Sequence, residues 1–287
     1  MRRLVYLSYG GKDVHVAETK YAILSASRHI QPADAIGILL YTDRPNLYSD
    51  LPVEIRAISG LELEAWTGPG GYQYRRKAEV VKDALALTES PIAFIDSDTW
   101  FIKSPVTLFD RIGPGRSVLH VDEGPIGTSG YGPNIALAEH LADHDYATAK
   151  LDGESRVWNS GVIGLHPSDA GLIDQAISLI DRIWNAFPKV DTLEQFAVSH
   201  YFAAHTSVSP AVDVVFHYWP LPLRKPFHEV IVEAMKQLDG CPPAERAKSL
   251  HSLRPRLRGV KRLRHGVKAL YRATGNQWPN SIPGNAT

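Results

Sequence analysis

Short apolar runs alternate with helical patterns along most of the chain. Five runs have the length of strands, and several are apolar at consecutive positions, as is typical of strands covered on both faces. They span residues 4–9, 36–43, 92–98, 117–123 and 160–166. The clearest helical pattern, at 172–187, has apolar residues three and four apart and follows Ser168, a suitable N-cap. Strands that alternate with helices predict an α/β fold with a mostly parallel sheet flanked by helices.

The run at 92–98 ends in two aspartates separated by one residue, in the sequence IDSD. Alternate side chains of an extended chain share a face, so Asp96 and Asp98 are expected to converge. Two carboxylates this close repel each other unless a cation lies between them. Mg²⁺ and Mn²⁺ prefer oxygen ligands, which makes this strand end a candidate metal site. The alternative interpretation is that the aspartates only cap the next turn.

Charge is distributed unevenly although the formal net charge is zero. Ten Lys and Arg residues lie between Arg246 and Arg272, and no Asp or Glu occurs from residue 246 onward. Residues 1–245 therefore hold 21 basic and 31 acidic residues, a net charge of −10. We predict an acidic catalytic domain over 1–240 and a basic C-terminal tail over 241–287.

Four segments in order resemble glycosyltransferase family 8, which includes glycogenin and bacterial lipopolysaccharide galactosyltransferases. The first three are IDSDTWF, WNSGVIGLHP and LEQFAVSHYF, at 95–101, 158–167 and 193–202. The fourth, FHYWPLPLRKPFH at 216–228, is similar to the family signature His-x-x-Gly-x-x-Lys-Pro-Trp. The resemblance spans roughly residues 1–230 and implies a GT-A fold, a Rossmann-like sheet flanked by helices.

The resemblance also implies a set of metal ligands. Asp96 and Asp98 match the family's carboxylate pair, and His217 matches its third ligand. An imidazole nitrogen favours Mn²⁺ over Mg²⁺. Lys225 matches the lysine that holds a phosphate oxygen, but it lies eight residues after His217 where the family has six, and Pro220 replaces the glycine.

Further residues take donor or catalytic roles by the same resemblance. The acidic-Gln pair is Glu194-Gln195 here, where the family has Asp-Gln, and Thr192 with Gln195 also has the spacing of a helix capping box. A predicted helix at 74–85 would carry Arg76 or Lys77 to the donor. The catalytic candidates are Gln195, Glu194 and Asn159, and the nucleotide-sugar candidates are Ser8, Tyr9, Arg76, Lys77, Ser97, Asp98, Gly161 and Lys225.

The expected reaction moves a sugar from a nucleotide-diphosphate sugar, with a UDP-sugar as the favoured donor, to a hydroxyl of a carbohydrate or glycolipid acceptor. The resemblance implies retention of anomeric configuration. An inverting enzyme would instead need a carboxylate base, for which Asp122, Glu123 and Glu194 are candidates. The alternatives are a phosphatase or nucleotidyltransferase that uses the same Asp-x-Asp pair, and a non-catalytic sugar-nucleotide-binding protein.

The tail has apolar residues every three or four positions from Leu250 with Lys and Arg between them, the pattern of a basic amphipathic helix. Such a helix suits an anionic membrane surface, and the alternative is docking on the acidic domain. It lacks the interleaved aromatics typical of nucleic-acid binding, so no nucleic-acid partner is expected. One cysteine and no secretory signal indicate a cytoplasmic protein, with peripheral contact at the inner face of the membrane as an option.

Overall fold

The computed structural model describes residues 1–146, 151–188, 190–219 and 221–250. Its strands are β1 (Arg2–Ser8), β2 (Ile36–Thr42), β3 (Glu54–Ala57), β4 (Ile92–Ile95), β5 (Thr99–Phe101), β6 (Arg116–Pro125), β7 (Arg156–Leu165), β8 (Ser207–Pro210) and β9 (Val215–His217). Its helices are α1 (Asp13–Ser27), α2 (Gly60–Ala65), α3 (Arg75–Ala86), α4 (Pro105–Phe109), α5 (Gly132–Ala142), α6 (Gly171–Ala186), α7 (Leu193–His205), α8 (Leu221–Leu238) and α9 (Pro243–Ser249).

The predicted α/β class, with a mostly parallel sheet flanked by helices, is confirmed. A mixed, mostly parallel sheet of seven strands has the order β3-β2-β1-β4-β7-β6-β8, and helices flank it. The pairs β1/β2, β2/β3 and β6/β8 are parallel, whereas β6/β7 is antiparallel. Strands β5 and β9 form a separate antiparallel pair. Every residue of β4 is buried, as the unbroken apolar sequence IAFI predicts for a strand covered on both faces.

Contacts within the chain define two compact units, each built from several segments. The first unit contains Met1, Ile58–Phe94 and Arg111–Pro210. The second contains Arg2–Ala57, Ile95–Asp110 and the described residues from Ala211 onward.

The core of the first unit includes the apolar face of α6, on which Leu172, Ile173, Ala176, Ile177, Leu179, Ile180 and Ile183 are buried. This face agrees with the predicted periodicity, but the predicted N-cap is wrong. Residues Pro167–Asp169 form a 3-10 turn, in which the Ser168 hydroxyl lies 2.8 Å from His166 Nδ1. Helix α6 therefore begins only at Gly171.

The second unit ends, among the described residues, with α8 and α9, which both contact α1. Arg246 of α9 forms an ion pair with Asp50, and Leu250 is fully buried. The part of the predicted basic tail at 251–287 lies outside the described residues. Within the described residues, no helix has the length and apolar character needed to cross a membrane.

Candidate functional site

The two aspartates of the IDSD sequence lie in a turn of the second unit. Strand β4 ends at Ile95, the chain turns through residues 96–98, and β5 begins at Thr99. The Thr99 hydroxyl donates to the backbone oxygen of Asp96 at 2.7 Å and closes this turn. The expectation of a continuous extended strand through Asp98 was therefore wrong. The convergence of the two carboxylates was right, and it is the turn that produces it.

His217 reaches these aspartates through strand pairing. In the antiparallel β5/β9 pair, Thr99 lies opposite His217, which places the imidazole beside Asp98. The backbone N–H of Tyr218 extends the pairing by donating to the backbone oxygen of Asp98 at 3.2 Å. His217 Nε2 lies 3.1 Å from Asp98 Oδ1, and both residues are buried, with exposed fractions of 3% and 7%.

Asp96, Asp98 and His217 fit a divalent cation. Each offers one ligand atom, and these atoms all lie within 4.8 Å of one another. Ligands at about 2.1 Å from an ion are separated by about 3 Å when adjacent in an octahedral shell and by about 4.2 Å when opposite. The 3.1 Å distance between His217 Nε2 and Asp98 Oδ1 matches an adjacent pair.

Arg224 of α8 supplies positive charge at this cluster. Its guanidinium Nη2 lies 3.4 Å from Asp98 Oδ2. Burial lowers the pKa of Arg224, but the negative charge of Asp98, followed by that of Glu18, outweighs burial and raises the pKa above its ordinary value. Lys225, the predicted phosphate ligand, is exposed at the next position of the helix. The sequence analysis did not select Arg224, because it matched the lysine of the family signature to Lys225.

A buried carboxylate holds α8 against α1 and so positions Arg224. Glu18 of α1 is 1% exposed, and it accepts a hydrogen bond from the Tyr218 hydroxyl at 2.8 Å. His228 of α8 places its Nε2 2.7 Å from the same Glu18 oxygen. Burial and the neighbouring negative charges of Glu18 and Asp98 raise the pKa of Tyr218 well above its ordinary value, so this phenol stays a hydrogen-bond donor.

A cleft of about 460 Å³ lies at the carboxyl ends of β1 and β2. It is lined by Gly10, Gly11 and residues 43–47, and the Gly10 N–H donates to Asp43 Oδ1 at 3.1 Å. The preceding residues, predicted to meet the nucleotide, are less open. The Ser8 hydroxyl is buried against the Tyr48 hydroxyl at 2.6 Å, and Tyr9 is half-buried. Ser97, in the turn between the two aspartates, is also half-buried.

The first unit contains a separate polar network around the start of α7. Lys77 Nζ lies 3.5 Å from Glu194 Oε2 and donates to the Ser160 hydroxyl at 3.1 Å. The Ser160 hydroxyl donates in turn to Glu194 Oε2 at 3.0 Å. Gln195 donates to Glu123 Oε2 at 2.8 Å and accepts from the Ser160 N–H at 3.3 Å. One hydrogen-bonded group therefore contains four residues that are expected to act on the donor or acceptor. They are Lys77 of α3, Glu123 of β6, and Glu194 and Gln195 of α7.

Two further candidates of the first unit take part in local hydrogen bonds. Asn159 donates to Glu123 Oε1 at 3.2 Å and accepts from the Gly161 N–H at 3.0 Å. Arg76 is buried, and its Nε donates to the backbone oxygen of Leu63 at 2.8 Å. Of the two basic residues that the sequence left open, Lys77 contacts Glu194 and Ser160 of the network.

The capping-box alternative for Gln195 is wrong. Thr192 is the N-cap of α7, but its side chain makes no capping hydrogen bond and instead donates to Asn134 Oδ1 at 2.6 Å. Of the candidate bases for an inverting reaction, Asp122 accepts from Arg156 at 2.6 Å, while Glu123 and Glu194 belong to the polar network.

Comparison with protein families and with curated proteins adds no functional information to this geometry. No protein-family model and no curated protein matches the chain. The cluster of Asp96, Asp98 and His217 and the polar network are therefore the observations from which a function can be argued.

Proposed function

We propose that this chain is a metal-dependent glycosyltransferase with a GT-A-type domain that uses a nucleotide-diphosphate sugar. The observation that carries the proposal is the convergence of Asp96 and Asp98, in the turn after β4, with His217 of β9. Two carboxylates and an imidazole leave half of an octahedral shell for other ligands, and diphosphate oxygens are common partners of protein-bound divalent ions. A divalent ion held there, with Mn²⁺ favoured by the imidazole, would neutralise the charge of the leaving diphosphate.

The second unit also provides a positively charged group for the phosphates and a cleft for the nucleoside. Arg224 brings a guanidinium to the same carboxylates, and guanidinium groups bind phosphate oxygens well. The cleft at Gly10, Gly11 and residues 43–47, at about 460 Å³, lies within the usual range for small-molecule sites. We assign it the nucleoside, because ligands of α/β sheets bind beyond the carboxyl ends of the strands.

In the reaction, the bond between the anomeric carbon and the phosphate oxygen breaks, and its electron pair stays on the diphosphate. Positive charge from Arg224 stabilises the negative charge that develops there. The acceptor hydroxyl forms the new bond to carbon, and its proton passes to the oxygen of the leaving diphosphate. By the family resemblance, Gln195, Glu194 and Asn159 act on the sugar and the configuration is retained.

The test is a thermal-shift screen of UDP- and GDP-sugars with and without Mn²⁺, because a ligand that binds the folded state raises its melting temperature. We expect a metal-dependent rise for one donor class. Asp98→Ala and His217→Ala should each abolish that rise while the protein stays folded. Asp110→Ala is the matched control, since this surface carboxylate of the second unit has a side chain that is 67% exposed.

The other outcomes identify the competing functions. An unchanged metal-dependent rise in Asp98→Ala would refute the site. Turnover of p-nitrophenyl phosphate in place of donor hydrolysis would favour a phosphatase. Donor binding without hydrolysis or transfer to any hydroxyl acceptor would favour a non-catalytic binding protein.

A further inference from the structure

Four aromatic side chains and one carboxylate form a cluster on the first unit, which we call the aromatic platform. It consists of Tyr72, Tyr74, Tyr131, Trp184 and Asp191. The Tyr72 ring lies 4.3 Å from the Trp184 ring and 5.8 Å from the Tyr74 ring, measured between centroids. The Tyr131 hydroxyl donates to both carboxylate oxygens of Asp191, at 2.8 and 2.9 Å.

The conformation of the loop at residues 68–71 is fixed by a hydrogen bond and by close packing with Trp184. Trp184 Nε1 donates to the backbone oxygen of Gly70 at 2.8 Å. A Cβ atom on Gly70 would lie 2.4 Å from Trp184 Cδ1, so the indole packs directly on the loop backbone. Gly68 and Gly71 have φ angles of +70° and +69°, which residues with a side chain rarely adopt. The rings therefore rest on a loop surface that is fixed by packing.

Tyr72 connects the platform to the polar network. This ring is 2% exposed, and its hydroxyl donates to the backbone oxygen of Asp191 at 2.7 Å. The same hydroxyl accepts from the backbone N–H of Glu194 at 3.1 Å. The platform is therefore continuous, through one buried phenol, with the residues proposed to act on the sugar.

The outer part of the platform is open to solvent. Tyr74 is 54% exposed and Tyr131 is 41% exposed, while Trp184 is half-buried and Asp191 is exposed. Solvent-exposed aromatic rings beside a carboxylate form a surface that is apolar on the ring faces and polar at the edges. A ligand that matches it has an apolar face and hydrogen-bond donors around its rim.

We propose that the aromatic platform binds a neutral carbohydrate, the acceptor of the reaction. A pyranose ring presents C–H groups on its face, which pack on Tyr74 or Tyr131, and hydroxyl donors at its rim. A carboxylate accepts up to about four hydrogen bonds, so Asp191 can accept from a sugar hydroxyl as well as from Tyr131. Its negative charge disfavours acidic sugars. The acceptor role rests on the proposed glycosyltransferase function, whereas carbohydrate binding does not.

The experiment follows the full chain by ¹H–¹⁵N NMR without metal or donor, with methyl β-glucoside, methyl β-galactoside and methyl β-glucuronide as probes. The Trp184 indole signal is assigned by its loss in Trp184→Phe. We expect a saturable shift of this signal with at least one neutral glycoside and none with the glucuronide. Tyr74→Ala should weaken the binding about tenfold, as truncation of an aromatic anchor does. Leu61→Ala is the control, since Leu61 is 85% exposed in the same unit.

A second readout separates this inference from the proposed function. Transfer to the bound glycoside should fall in Tyr74→Ala and stay at the wild-type rate in Leu61→Ala, the control outside the platform. Neutral binding that is present in the wild type and lost in Tyr74→Ala supports the platform even if no donor is ever used. No shift with either neutral glycoside, or equal weakening by Leu61→Ala, would overturn it. A shift with a tyrosine-rich peptide and with neither glycoside would assign the surface to a protein partner.

Discussion

Arg224 forms an ion pair with Asp98 at 3.4 Å, and its neighbour Lys225 is exposed. Consecutive residues on a helix point about 100° apart, so only one of the two can face the carboxylates. The guanidinium also shares Asp98 with His217, which lies 3.1 Å from the other carboxylate oxygen. Arg224 and a bound cation therefore repel each other, and an anionic ligand that contacts both relieves the repulsion.

Replacement of Arg224 should thus have opposite effects on cation and anion binding. We expect Arg224→Met to strengthen Mn²⁺ binding several-fold in the absence of other ligands, because a neighbouring positive charge is removed. The same change should weaken inorganic pyrophosphate binding in the presence of Mn²⁺ about tenfold, the loss of a charge-assisted hydrogen bond. Isothermal titration calorimetry measures both affinities. Lys225→Met should change each by less than about twofold, and the reverse ranking would return the phosphate role to Lys225.

Lys77 is expected to be important for stability as well as for function. Its side chain is 13% exposed and that of its partner Glu194 is 4% exposed, so Lys77→Met deprives a buried carboxylate of its positive neighbour. We expect a loss of about 3–5 kcal/mol in the free energy of unfolding, measured with urea. Addition of Glu194→Gln should recover much of this loss, because the buried charge is then removed.

Lys82 provides the matched control on the same helix, α3. It pairs with Asp174 at 2.7 Å, but the two side chains are 53% and 56% exposed. Lys82→Met should cost less than about 1 kcal/mol. Equal losses for Lys77→Met and Lys82→Met would contradict the buried network.

The contact between Gly70 and Trp184 predicts that a single methyl group disturbs the platform. Gly70→Ala should lower the free energy of unfolding by about 1–3 kcal/mol, because the new Cβ overlaps the indole. Gly60→Ala, where no atom lies within 4 Å of the added Cβ, should change it by less than about 1 kcal/mol. Urea unfolding of both variants checks the difference, and no loss in Gly70→Ala would mean that the indole does not pack on the loop.

Tyr131 should ionise late. Burial, followed by the hydrogen bond to Asp191 and its negative charge, raises the pKa of Tyr131 from 10.0 to about 12. Because the folded-state pKa is the higher one, the stabilisation from the neutral phenol is complete below about pH 10 and is lost as the pH rises through about 12.

The Tyr131 pKa can be measured by ¹³C NMR of the tyrosine Cζ atoms, with Tyr131→Phe for assignment. Asp191→Asn should lower this pKa towards 10, since it removes the negative charge beside the phenol. Ionisation of wild-type Tyr131 near pH 10 would show that the hydroxyl does not rest on Asp191.

The sequence predicted the elements with strong local patterns and misjudged where some of them end. The apolar runs predicted the bounds of β1 and β2 to within two residues, because consecutive apolar residues are typical of strands buried on both faces. The apolar run predicts one strand over 92–98, because a turn at Asp96 and Asp98 has the same composition as an exposed strand end. The start of α6 was placed too early, because the hydroxyl of Ser168 is used by His166 and leaves no cap.

The sequence predicted site residues that match a motif, but it could not choose between two neighbouring residues of the same charge. His217 was found by its resemblance to a metal ligand, and the β5/β9 register then accounts for its place beside Asp98. Arg224 and Lys225 have equal charge, so only the orientation of α8 distinguishes them. The platform carried no sequence signal, because Tyr74, Tyr131 and Asp191 meet only through tertiary packing.

The ligands of the cation site come from distant parts of the chain, Asp96 and Asp98 from one segment of the second unit and His217 from another. During synthesis the aspartates leave the ribosome more than a hundred residues before the histidine. A nascent chain stopped at Pro210 would contain every strand of the seven-stranded sheet and yet lack the third ligand. Under the proposed function, tight cation binding would therefore be acquired at a late stage of biosynthesis, and it would serve as a marker that the C-terminal segment has folded back.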